Sequence, residues 1–171
     1  MSPRPKDRSP NSAPSTKPNA KTAGIVQSPS GILAKKTKTN MKIDLQILNE
    51  LTDRAKESPR LRMNLDMRTS PEDSSQRMLN ALEPGTILPI HRHRNSTEFV
   101  AILRGSATQY FYDDEGKVTE IVTIKAGSDC PAMSVEKGRW HRIESLESGT
   151  VIFEAKDGAY EPISPEDILN L

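Results

Sequence analysis

The chain has 171 residues, with 24 Lys or Arg against 23 Asp or Glu and a formal net charge of +1, which is enough for one ordinary domain with room for an extension. The balance hides an asymmetry: residues 1–40 hold eight Lys or Arg against the single Asp7, a net of +7, and the remainder nets −6. An acidic folded part argues against nucleic acid as a partner, and no apolar run approaches the roughly 20 residues needed to span a bilayer, so no membrane partner is expected and the location is read as cytoplasmic.

Residues 1–40 hold six of the thirteen prolines, many Ser, Thr, Lys and Asn, and no aromatic residue. Such a segment buries too little apolar surface to offset the entropy of ordering, so a disordered basic tail is predicted, with the folded domain over 41–171. Asp44 then caps a short helix whose Leu45, Leu48, Leu51, Thr52 and Ala55 share a face. Glu50 and Arg54 are spaced for an exposed pair, and Ser58-Pro59 ends the helix. Arg60 to Met78 reads as an irregular strand or two with a loop. Short β-type runs follow at Met78–Leu82, Glu98–Arg104, Ala107–Tyr112, Val118–Ile124, Trp140–Ser145 and Thr150–Ala155, separated by turn signals such as Glu83-Pro84-Gly85 and Asp113-Asp114-Glu115-Gly116. Ser164-Pro165-Glu166-Asp167 opens a short terminal helix. Many short strands without interleaved helices predict an all-β sandwich or closed barrel. The one cysteine, Cys130, excludes an internal disulfide.

The chemistry concentrates after Gly85. Five residues separate it from His91, one separates His91 from His93, four lead to Glu98 and six more reach Gly105. On an extended strand His91 and His93 project to one side and Arg92 to the other. Arg94-Asn95-Ser96-Thr97 suits a turn that returns Glu98 on the neighbouring strand. Imidazole nitrogens beside a carboxylate suit Mn, Fe, Co, Ni, Cu or Zn. A bare His-x-His among arginines is more simply a basic loop, but the chain has only three histidines, and all fall at proposed ligand positions.

The Gly85–Gly105 spacing resembles the first motif of the cupins at every defined position. Gly138-Arg139-Trp140-His141 resembles their second motif in part, with Glu136 where proline is usual and Ser145 where asparagine is frequent. The resemblance implies a jelly-roll β-barrel binding one divalent transition metal through His91, His93, Glu98 and His141. Within the cupins the likeness is to the WbuC-type metalloproteins of polysaccharide gene clusters. It runs from about Met41 to Ile163 and includes Ser58-Pro59-Arg60-Leu61-Arg62-Met63-Asn64, Leu79-Asn80-Ala81-Leu82-Glu83-Pro84-Gly85 and Asp157-Gly158-Ala159-Tyr160.

Two function classes survive. One is an enzyme of carbohydrate or polysaccharide (O-antigen type) metabolism that takes a sugar or sugar phosphate as its small-molecule ligand. The other is a non-catalytic, metal-stabilised small-ligand binding module. No second catalytic group is obvious, because no histidine is left over for a base. Arg60, Arg62 and Asn64 offer a polar patch for an anion at the barrel mouth. Trp140 should face away from His141, which favours packing outside the metal pocket or at a subunit contact; with the short apolar runs this suggests a surface that pairs with a second copy, so a homodimer is expected.

Overall fold

The computed structural model of the chain describes residues 40–170. The predicted tail over 1–40 lies outside them except for Asn40. Helix α1 spans Leu45–Glu57, with the Asp44 carboxylate accepting from the backbone N–H of Ile47. Ten strands follow: β1 Arg62–Asp66, β2 Ser75–Leu82, β3 Ile90–His91, β4 Glu98–Arg104, β5 Ser106–Tyr112, β6 Val118–Lys125, β7 Ala132–Val135, β8 Trp140–Ser145, β9 Thr150–Asp157 and β10 Ile168–Leu169. They form two five-stranded antiparallel sheets, in the orders β1-β2-β9-β4-β7 and β10-β3-β8-β5-β6. This is a jelly-roll arrangement.

Alternation along the strands builds the interior. Val100 and Ile102 of β4 and Ile152 of β9 meet Ala107, Ile124 and Ile143 of the other sheet in one core. The opposite face of the first sheet would be wet without α1. Leu48, Leu51 and Ala55 of the helix instead cover Leu79, Ala81 and Val151. Arg104, at the end of β4, clamps the helix there: its guanidinium donates to Asn49 Oδ1 (2.7 Å), Leu48 O (3.0 Å), Thr52 Oγ1 (2.7 Å) and Gly149 O (2.9 Å). Gly105 follows at φ +78°, and a Cβ there would lie 2.4 Å from Thr150 Oγ1 and 2.9 Å from Thr150 Cα. The close approach of β9 to the β4–β5 turn therefore demands glycine at this position.

Four local expectations are corrected. Leu45 is 71% exposed in the first helical turn, and Ile47 packs instead. Glu50 accepts from Gln46 rather than pairing with Arg54. The terminal helix is a single 3-10 turn, Pro165–Asp167, leading into β10. Trp140 does face away from His141, but it is only 7% exposed, packed with Ile90 and Tyr112 under Arg92, so it offers no free surface for a second copy. Among the described residues no helix is long and apolar enough to cross a membrane.

Candidate metal centre

Both sheets contribute to the site. His91, in β3, pairs in register with His141 of β8, so the two imidazoles stand side by side on the inner face of one sheet, ring centroids 4.4 Å apart. His93 lies just beyond β3, its ring 5.0 Å from that of His91. Glu98 opens β4 in the opposite sheet and pairs in register with Lys156 of β9. The predicted hairpin is thus corrected: Arg94 to Thr97 carries the chain from one sheet to the other, and Glu98 faces the histidines across the barrel. One ligand-type atom from each of His91, His93, Glu98 and His141 lies within 4.8 Å of the others.

The backbone orients the rings. His91 Nδ1 lies 3.1 Å from the carbonyl oxygen of Pro89, and His141 Nδ1 lies 2.8 Å from that of Arg139. A carbonyl only accepts, so Nδ1 carries the proton in both rings and each Nε2 keeps a lone pair for the centre. The backbone N–H of Gly138 donates to His93 O (2.7 Å), which ties the second motif to the first. His141 Nε2 is buried, has no hydrogen-bond partner among the described residues and points into the cluster. Its nearest charged neighbour there, Glu98 Oε2, is 3.8 Å away, too far for a hydrogen bond. An orphaned, desolvated imidazole nitrogen is costly unless a cation completes it, so the donor set fits a transition metal.

The shifts at His91 and Glu98 run in the direction a metal site needs. Burial, then the proximity of His141, pushes the His91 imidazole down to about 4. Burial alone would raise the Glu98 carboxyl, but His141, His93 and Lys156 hold it well below the usual carboxylate range. The Lys156 ammonium donates to Glu98 Oε2 (3.0 Å) and lies 3.3 Å from His93 Nε2 and 3.7 Å from Glu154 Oε2. Burial, then the charge on Glu98, pushes the Glu154 carboxyl up to about 7. Sequence reasoning missed both residues. Their signal was the period-two alternation of β9, which puts Glu154 and Lys156 on the same inward face as Ile152.

Beside the cluster opens a cavity of about 690 Å³, lined by His93 and Lys156 of the cluster, by their neighbours in the 92–96 stretch, by Gln76 and Met78, and by residues of the 157–167 segment. That segment is held down by Asp167, which accepts from Arg92 Nε (2.8 Å) and from Arg94, and by Gln76, which donates to the carbonyls of Gly158 and Ala159. Arg92 therefore points away from its two flanking histidines, as the strand reading expected, and stacks 4.2 Å from the Trp140 ring. Arg62, of the expected anion patch, is not at this mouth: it shares a row with Leu82 and Thr150, six residues along β9 from Lys156, which is about 20 Å. Of the aromatic run on β5, Phe111 points inward opposite His141, and Tyr112 packs with Trp140.

Residues 43–124 match a family described as a domain of unknown function (DUF6016). No curated protein matches the chain. Among solved structures, an oxalate oxidase in complex with glycolate aligns at TM-score 0.51 and 13% identity, over 63% of this chain and 56% of that one. Bacillus subtilis oxalate decarboxylase aligns at TM-score 0.47 and 22% identity, over 64% of this chain, which spans only 28% of its length. KdgF from Halomonas sp. aligns at TM-score 0.47 and 12% identity, over 61% of this chain and 84% of that one. The fold is that of the cupins. The side-chain cluster gives this barrel four donors that could hold a metal ion.

Proposed function

We propose that the chain is a cupin metalloprotein that binds one divalent transition metal through His91, His93, Glu98 and His141 and presents it to a small molecule entering from the adjoining cavity. The convergence of four donors within 4.8 Å, one of them the buried His141 Nε2 that has no partner among the described residues, carries this reading. Three imidazoles and one carboxylate leave one or two positions on a five- or six-coordinate ion. A metal so bound would polarise a ligand oxygen or activate water. The cavity beside His93 and Lys156 favours such an open centre over a closed structural one.

The motif resemblance to the WbuC-type proteins extends the reading to carbohydrate or polysaccharide metabolism, with a sugar or sugar phosphate as the ligand. Val118 (42% exposed) and Ile121 (59% exposed), on the edge strand β6, support a homodimer formed on that sheet. Elemental analysis of untagged protein tests the central claim. About one equivalent of a transition metal per chain is expected, lost with a chelator and regained on adding the metal. Protein that purifies empty and takes up none overturns the reading.

A further inference from the structure

We propose that Lys156 is the anion anchor of this centre, so that the ligand is a carboxylate or phosphate whose charge bridges the metal and the Lys156 ammonium. The inference rests on the metal-centre reading above and deepens it.

The argument is one of charge and placement. Lysine is rarely buried unless paired, yet the Lys156 side chain is only 10% exposed and stands on the inward face of β9. Its ammonium reaches the donor set itself, 3.0 Å from Glu98 Oε2 and 3.3 Å from His93 Nε2. A divalent ion held by three neutral imidazoles and the Glu98 carboxylate keeps one positive charge, and Lys156 adds a second in the same poorly solvated space. Glu154, 3.7 Å from Lys156 Nζ, withdraws at most one of them. One or two positive charges therefore stay uncompensated inside the barrel, where like charges repel far more strongly than in water. An anion entering from the cavity would neutralise them without a change of protonation in the cluster. The cavity leads to this point, because His93 and Lys156 are the cluster residues that line it. A group kept only to brace Glu98 need not be charged, and a buried hydroxyl or amide would serve without opposing the metal. The cation is explained if the ligand is negative.

The discriminating property is that Lys156 should act on metal and anion with opposite sign. The full chain is loaded with Co(II), whose visible spectrum reports coordination, and titrated with acetate, with inorganic phosphate and with the neutral isostere acetamide. Wild type should respond to acetate or phosphate and not to acetamide, and the tighter of the two anions names the ligand class. Lys156→Met should bind Co(II) more tightly, because a like charge is gone, and should bind the anion about tenfold to a hundredfold more weakly, the worth of a hydrogen bond to a charged group. Lys156→Arg, which keeps the charge, should retain most of the anion response. If Lys156→Met weakens Co(II) and anion together, or leaves the anion titration unchanged, or if wild type ignores both anions, the anchor is overturned while the metal centre stands. Wild type that takes up no Co(II) overturns the metal-centre reading, and the anchor with it.

Discussion

At the scale of single residues, three of the four proposed donors could be picked out before the fold because they lie close in sequence at spacings that a strand and a turn convert into convergence. His91, His93 and Glu98 fall within eight positions, and His141 is the one histidine left. Lys156 and Glu154 were not legible. They reach the site only through the pairing of β9 with β4, a contact between segments about 60 residues apart; the alternation of β9 sets which face they take but not which strand they meet. The His91 imidazole gives a prediction at this scale. Its folded value of about 4 lies below the ordinary 6.5, so the unfolded chain holds the proton more readily over that interval. Stability from this group is complete above pH 6.5 and is lost as the pH falls towards 4, by up to about 3 kcal/mol. Urea titrations of chelator-treated protein at pH 7 and pH 4.5 should show this loss, and His91→Asn should flatten it. An unchanged pH slope in the variant would refute the cause assigned to it.

At the scale of elements, strong alternation between clear turns was readable, and short or irregular segments were not. The expected Glu98–Arg104 strand is β4 itself, and Trp140–Ser145 is β8. β7 has four residues after Cys130-Pro131, and β3 and β10 have two each. Such strands exist because neighbours in the barrel supply their hydrogen bonds, so tertiary context rather than propensity makes them. The sequence periodicity of α1 was plain, but what it packs against was not. Arg104 supplies that answer, and it yields a test. Arg104→Met should cost about 2 kcal/mol in denaturant titration, since several hydrogen bonds from one charged group are lost and the carbonyl of Leu48 loses a partner. Metal content should be unaffected, because α1 covers the sheet face opposite the barrel interior. Loss of metal in this variant would show that the helix supports the site.

For the whole molecule, the two facing sheets explain why donors far apart in sequence converge. His91 and His141 come from one sheet and Glu98 from the other, so the centre forms only when the two sheets face each other. Metal binding and folding should therefore stabilise each other. The basic segment before Met41 is proposed to be dispensable for both. A chain starting at Met41 is expected to keep the cooperative melt and metal content of the full chain, and aggregation or loss of metal would show that the segment belongs to the fold.

The most direct test of the metal centre compares neighbours in sequence that the fold places on opposite faces. Metal per chain is measured at one protein concentration in wild type, His91→Ala, His93→Ala, Glu98→Ala, His141→Ala and Arg92→Ala. Each ligand variant removes one of four donors and should lose most of its metal. Arg92→Ala should keep it, since Arg92 turns away to Asp167 and Trp140. Wild-type metal in His93→Ala, or an equal loss in Arg92→Ala, would contradict the assignment.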